Sequence, residues 1–185
     1  NELIVARAKT HGHVVRLKGG DPFIFGRGAE EMEFAASFGI ETAMVPGISS
    51  SLAVPAYQNI PVTKRGSAES FWVITGTTKE HKLSNDVALA AKSNATVVVL
   101  MGMGKLPEII KLFQQENKND LPVAIIQNGT RSNEKVGIGT VNTILEVVKE
   151  QELSNPAIIV LGEVVKHRAV LANVQEEYSR ELIAS

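Results

Sequence analysis

Four glycines, an aspartate, a proline and an arginine crowd the segment Gly19-Gly-Asp-Pro-Phe-Ile-Phe-Gly-Arg-Gly28, directly after the apolar run Val14-Val-Arg-Leu17. Glycine allows positive φ and lets a backbone approach a ligand closely. The residue before a proline is pushed into an extended conformation, so Asp21 keeps its shape in the turn. Glu30 and Glu31 then open an apolar-periodic stretch, and negative side chains suit a helix N-terminus. A strand, a stiff glycine loop and a helix start in succession describe a ligand-binding edge.

The rest of the chain repeats the alternation of strand-like and helical segments that marks a largely parallel α/β sheet. Strands are expected at Val14–Lys18, Glu41–Val45, Ser70–Thr75, Thr96–Leu100, Val123–Gln127, Lys135–Gly139 and Ala157–Leu161. Helices are expected at Ala29–Phe38, Leu52–Tyr57, Asp86–Lys92, Leu106–Gln114, Val141–Gln151 and Arg168–Ile183. The chain opens in a helical pattern that puts Leu3, Ile4 and Ala8 on one face. Serines after Pro46-Gly47 suit the cap of one helix, and Thr140 suits another. The polar stretch at Gly76–Ser84 is the best division, giving domains at 1–76 and 77–165 and a helical tail at 166–185.

Composition narrows the function. With 185 residues the chain can bury about 70% of its unfolded surface. A net charge of −1 offers no bulk field for nucleic acid, so an anionic ligand must be met by a local basic cluster. The absence of cysteine excludes disulfides, thiolate metal sites and cysteine nucleophiles, and fits a reducing compartment such as the cytoplasm. No apolar run nears the roughly 20 residues needed to cross a bilayer. His11 and His13 flank Gly12 without a cysteine or carboxylate cluster, so no metal site is expected. Dinucleotide, Walker and serine-hydrolase motifs are missing.

Several expected strands end in glycine-bearing turns, at Gly19-Gly20, Pro46-Gly47, Gly102 and Gly129, and ligands of parallel α/β sheets collect beyond such ends. Gly102 or Gly129 alone reads more simply as a connection. Asp21 either receives a ligand ammonium or braces its own turn. Arg27 and Glu30, three apart at a helix start, share a face and form either a surface ion pair or part of a site. Lys64-Arg65 is a second cationic point, suited to carboxylates through arginine's planar fork, or a solvated loop pair. Met101 and Met103 have the usual reading of core filler.

The run from Val14 to Glu31 resembles the signature of the uroporphyrinogen-III C-methyltransferase family. Further similarities follow in order at Val45-Pro-Gly-Ile-Ser-Ser50, Ile60-Pro-Val-Thr-Lys-Arg65, Val73-Ile-Thr-Gly76, Met101-Gly102, Asn128-Gly-Thr130 and Pro156–Val165. The resemblance implies a tetrapyrrole-methylase-like α/β fold, with two α/β domains, S-adenosylmethionine in the cleft between them, and usually a homodimer. It implies methyl transfer onto two carbons of uroporphyrinogen III, giving precorrin-2 for sirohaem or cobalamin and S-adenosylhomocysteine as by-product. Carried over by motif, cofactor contacts fall on Gly19, Gly20, Asp21, Ile24, Ser49, Ser50, Met101 and Gly129. Arg27 and Arg65 fall where the tetrapyrrole carboxylates should lie, and Arg27 and Glu30 beside the reacting edge, Glu30 as a proton shuttle.

The family also has an earlier strand, a Gly-Pro-rich loop, an acidic residue and a lysine proposed for acid/base work. These precede the matched region and are not in this chain, which opens at Asn1 rather than methionine. The expectation is a first domain incomplete here, with the missing part upstream. Methylation of another corrin intermediate and a non-catalytic cofactor-binding remnant are the alternatives.

Overall fold

The computed structural model describes residues 1–174. By contacts the chain divides into two compact units, Asn1–Ser49 and a second beginning at Ser50. This division lies upstream of the polar stretch at Gly76–Ser84. The strand ending at Thr75 pairs with the one ending at Leu100, so residues on both sides of Gly76 share one sheet.

The second unit is built on five strands: β1 (Phe71–Thr75), β2 (Thr96–Leu100), β3 (Pro122–Gln127), β4 (Lys135–Thr140) and β5 (Ala157–Leu161). Their order is β1-β2-β5-β3-β4. Among the described residues only β1 and β2 pair in parallel, with Val73 opposite Val98. β5 runs antiparallel to both β2 and β3, placing Val160 between Val98 and Ala124. β4 is antiparallel to β3. The expected largely parallel sheet is therefore corrected to a mixed one. The segment 128–134 is too short for the crossover of about a dozen residues that a parallel pair needs, so β4 must fold back on β3.

Alternation along these strands feeds two apolar layers. Val97, Val99, Val123, Ile125, Ile159 and Leu161 face one core with Ile109, Ile110 and Phe113. Val98, Ala124, Ile126, Ile158 and Val160 face the other with Val54, Ile60 and Val164. A sheet covered on both faces calls for nearly continuous apolar strands, which is what Thr96-Val-Val-Val-Leu100 and Ala157-Ile-Ile-Val-Leu161 supply.

Four helices in this unit fall close to the sequence expectations. Three of them pack on the first core: α4 (Asp86–Lys92), α5 (Leu106–Gln115) and, through Ile144, the helix that follows β4. α5 buries Leu106, Ile109, Ile110 and Phe113, the spacing of one helical stripe. α3 (Ser50–Tyr57) packs Val54 into the second core. α6 (Ile144–Glu150) starts later than expected and follows Thr143, not Thr140. Thr140 still belongs to β4; the Val141 N–H donates to Leu121 O at 3.0 Å, and a turn closed by the Thr143 N–H on Thr140 O at 3.0 Å comes before the helix. Positions 167–174 are helical; the remainder of the expected Arg168–Ile183 helix lies outside the described residues.

The first unit contains α1 (Glu2–His11) and α2 (Gly28–Ala36). α1 buries Val5, with Ile4 and Ala8 half-buried and Leu3 68% exposed, so its inner face is rotated from the one expected. Phe34 and Phe38 meet at a tilt of 49° with centroids 5.2 Å apart, and Lys9 Nζ lies 5.2 Å from the Phe38 ring centre. The strands expected at Val14–Lys18 and Glu41–Val45 do not form. No ladder partner meets their N–H and C=O groups within the described residues, and β-branched composition alone does not make a strand.

Candidate functional site

In the first unit the glycine loop is wound tightly around Pro22. A Cβ added at Gly26 or Gly28 would stand 2.6 Å from Pro22 O, and the Gly28 N–H donates to that same oxygen at 2.9 Å. Phe25 and Arg27 both take positive φ, 54° and 57°, a conformation that costs roughly 1–2 kcal/mol for a non-glycine residue. The loop leaves Phe23, Ile24 and Phe25 about half exposed, an apolar rim beside exposed Gly19 and Gly20.

Asp21 sits at the centre of this loop. Its Oδ1 accepts the Phe23 N–H at 2.8 Å, and its Oδ2 accepts the Gly47 N–H at 3.1 Å. These two bonds, Phe23 first and Gly47 second, hold its carboxyl below the usual aspartate range. Gly47 has to be glycine, because a Cβ there would stand 2.7 Å from Gly20 O. Asp21 therefore does brace its turn. A carboxylate has about four lone-pair directions, so the brace leaves capacity for a cationic ligand group.

At the start of α2, Arg27 reaches Glu30 Oε2 through Nε at 3.0 Å and Nη2 at 2.6 Å. The pair is exposed, and Glu30's bond and charge raise the Arg27 pKa. Glu31 is held below its usual range first by its bond from Lys18 at 2.8 Å, with Arg16 adding to it. Ser49, the last residue of this unit, is buried.

In the second unit, β1, β2 and β3 all point the same way, so Gly76, Met101-Gly102 and Asn128-Gly-Thr130 leave the sheet on one rim. With β5 between β2 and β3, two strand spacings, about 10 Å, separate the strands that lead into these two turns. Met101 adopts φ 54°, its side chain is half exposed, and its carbonyl accepts the Thr77 hydroxyl at 2.9 Å. Gly76 and Gly102 touch so closely that a Cβ on Gly76 would stand 2.3 Å from Gly102 Cα. Gly129 is packed on α3, with Val54 Cγ1 2.4 Å from where its Cβ would be. Asn128 and Thr130 on either side take φ 52° and 68°. Gly76 and Gly102 are buried and Gly129 half-buried, so side chains are excluded at all three, and bare backbone can lie close to a small molecule only at the more open Met101 and Gly129.

Ser50 opens α3. Arg65 is exposed in the tight turn closed by Lys64 and Ala68. Its neighbour Lys64 reaches His167 Nδ1 at 2.9 Å. The structure thus gathers Gly19, Gly20, Asp21, Ile24, Arg27 and Glu30 on one loop and helix start. It gathers Met101 and Gly129 on one sheet rim. Two further residues shape these surfaces: Gly47, from a turn already marked in the sequence but not as a partner of Asp21, and Thr77, which does not stand out there. A proline-glycine pair before a serine run was the available signal for Gly47; a lone threonine after a strand carries none. Among the described residues no group of three histidine, cysteine or acidic side chains could hold a metal ion, and no helix is long and apolar enough to cross a membrane.

The sequence profile of the Tetrapyrrole (Corrin/Porphyrin) Methylases matches residues 1–145. The chain is 44% identical over 167 residues to a uroporphyrinogen-III C-methyltransferase of Methanocaldococcus jannaschii, covering 89% of this chain and 69% of that one. It is 42% identical to siroheme synthase 1 of Klebsiella pneumoniae, covering 98% of this chain but only 38% of that protein. The crystal structure of a uroporphyrin-III C-methyl transferase from Thermus thermophilus complexed with S-adenyl homocysteine superposes with a TM-score of 0.77 at 32% identity, covering 89% of this chain and 72% of that one. The α/β architecture with its glycine-braced loops and mixed sheet is accordingly that of a known group, and the chain belongs to the tetrapyrrole methylase family.

Proposed function

We propose that the protein methylates uroporphyrinogen III from S-adenosylmethionine, giving precorrin-2 for sirohaem or cobalamin formation. The observation that carries this reading is the Asp21 turn, braced by Phe23 and Gly47, in a chain 44% identical to a uroporphyrinogen-III C-methyltransferase. S-adenosylmethionine supplies an already activated methyl on a positively charged sulfur, so alignment is the main demand on the protein. The residues fit such a group: exposed Gly19 and Gly20 present bare backbone, and Asp21 supplies a counter-charge for an ammonium. Ile24 offers apolar contact and Ser49 a hydroxyl within the first unit; Ser50, Met101 and Gly129, in the second, are assigned to the cofactor by the family resemblance.

Arg27 and Arg65 are assigned to the carboxylates of the macrocycle, which is how a protein of net charge −1 would hold a poly-anion. Transfer of the Arg27 guanidinium to a substrate carboxylate would release Glu30 Oε2 from it and let Glu30 accept the proton lost from the methylated carbon. Arginine itself stays protonated and cannot take that part. The reading includes a cytoplasmic homodimer with no nucleic-acid partner, supported by the family resemblance, the absence of cysteine and the near-neutral charge.

The test is incubation of the full-length protein with S-adenosylmethionine and uroporphyrinogen III, followed by mass analysis. Dimethylated product is expected, and Asp21→Ala should weaken S-adenosylhomocysteine binding by about tenfold or more, the scale of a lost bond to a charged group. Binding without turnover would favour a non-catalytic remnant. Turnover only of a later corrin intermediate would reassign the substrate.

A further inference from the structure

The turn carrying Gly129 is held by a carboxylate that the proposed chemistry does not use. Glu134 lies immediately before β4, and its Oε2 accepts the Thr130 N–H at 2.6 Å. Its Oε1 accepts from Gln58 Nε2, just beyond α3. Gln58 Oε1 in turn accepts from Arg168 Nε at 3.3 Å. The turn also closes on itself, from Glu134 N–H to Arg131 O at 3.1 Å and from Arg131 N–H to Asn128 O at 3.0 Å. Glu134 thereby ties the β3–β4 connection to the end of α3, and Gln58 extends the link to the helical segment at 167–174.

The backbone there needs such a tie. Thr130 has φ 68°, a region that a β-branched residue adopts only under constraint. Gly129 cannot relax inward, because Val54 fills the space beside it. A backbone N–H bonded to a carboxylate is among the stronger hydrogen bonds, and here it is made by the strained residue itself. Without it Thr130 favours negative φ, and the Gly129 peptide turns with it.

We infer that Glu134 is the positioning residue of the Asn128-Gly129-Thr130 turn, holding the backbone against which the cofactor rests. This depends on the assignment of Gly129 to cofactor binding. The charge of Glu134 is placed to orient a peptide, and it touches no reacting atom.

The experiment is calorimetric titration of the full-length protein with S-adenosylhomocysteine, beside steady-state kinetics. Glu134→Ala is expected to raise Kd, and KM for S-adenosylmethionine, by about tenfold, while KM for the macrocycle stays unchanged. Glu134→Gln keeps one acceptor for the Thr130 N–H and should lose about threefold. Adding Thr130→Gly to either variant should recover most of the loss, since glycine adopts this φ without strain. Wild-type affinity in Glu134→Ala, or a loss that Thr130→Gly leaves untouched, overturns the inference. If Glu134→Ala does not fold, the Glu134→Gln pair decides by the same two outcomes. A wild-type protein that does not bind S-adenosylhomocysteine instead removes the cofactor assignment, and this role with it.

Discussion

Val97, Val98 and Val99 are wholly buried in the second unit, whereas Val15 and Leu17 in the first are 77% and 84% exposed. Both segments are β-branched or apolar runs leading towards a glycine turn. The first finds ladder partners on both sides, β1 and β5, and the second finds none within the described residues. A strand is a property of a pair, because its N–H and C=O groups must be met from outside the segment. The contrast also separates two ways of shaping a ligand surface. The second unit presents rigid backbone at the rim of a packed sheet, and the first shapes its loop mainly by hydrogen bonds to one carboxylate and one proline carbonyl.

The most forceful way to break this comparison is truncation of the two kinds of apolar side chain. Ile125→Ala, in the middle of β3 and wholly buried, should cost about 2–5 kcal/mol in denaturant unfolding. Leu17→Ala should stay within about 0.5 kcal/mol. Equal losses would mean that the first unit has a core of its own at that run.

A smaller, local effect is expected in acid. The Asp21 carboxyl is held below its usual range in the folded protein. Its contribution is therefore present above the unfolded value of about 3.9 and is lost as pH falls through the lower folded value. Amide exchange at Phe23 and Gly47 should accelerate across that acid range, while amides of β2 and β3 stay protected. Asp21→Asn should lack the transition, and a simultaneous opening of both units would sink the distinction.

Arg27→Gln should also leave stability nearly untouched. Its ion pair with Glu30 is exposed, 75% and 57%, and pairs of that kind add little to stability. Thermal melting should barely move, whereas KM for the macrocycle should rise. A large melting shift with unchanged KM would return the pair to a purely structural role.

Much of the second unit was legible in the sequence. β2, α4 and β5 lie at the expected residues, because short apolar runs bounded by polar or glycine residues leave little choice of register. The delayed start of α6 was not legible, since the bond from Val141 N–H to Leu121 O joins residues distant in sequence. Strand direction was hidden for the same reason: nothing local to Ala157–Leu161 says that it enters between β2 and β3. At the candidate site the glycine loop and Asp21 stood out by composition, but their internal bonds did not. Gly47 as the partner of Asp21 and Glu134 as the partner of Thr130 emerge only when the chain is folded.

The amino-acid order by itself determined which stretches could be strands, where the chain must turn, and which loop has the backbone freedom to meet a ligand. Those are consequences of side-chain shape, apolar period and glycine's missing Cβ, all local properties. Tertiary structure alone decided which apolar runs became strands, which way they ran, and which carboxylate oxygens met which backbone amides. Each of those outcomes requires two segments far apart in sequence to supply complementary donors and acceptors at one place.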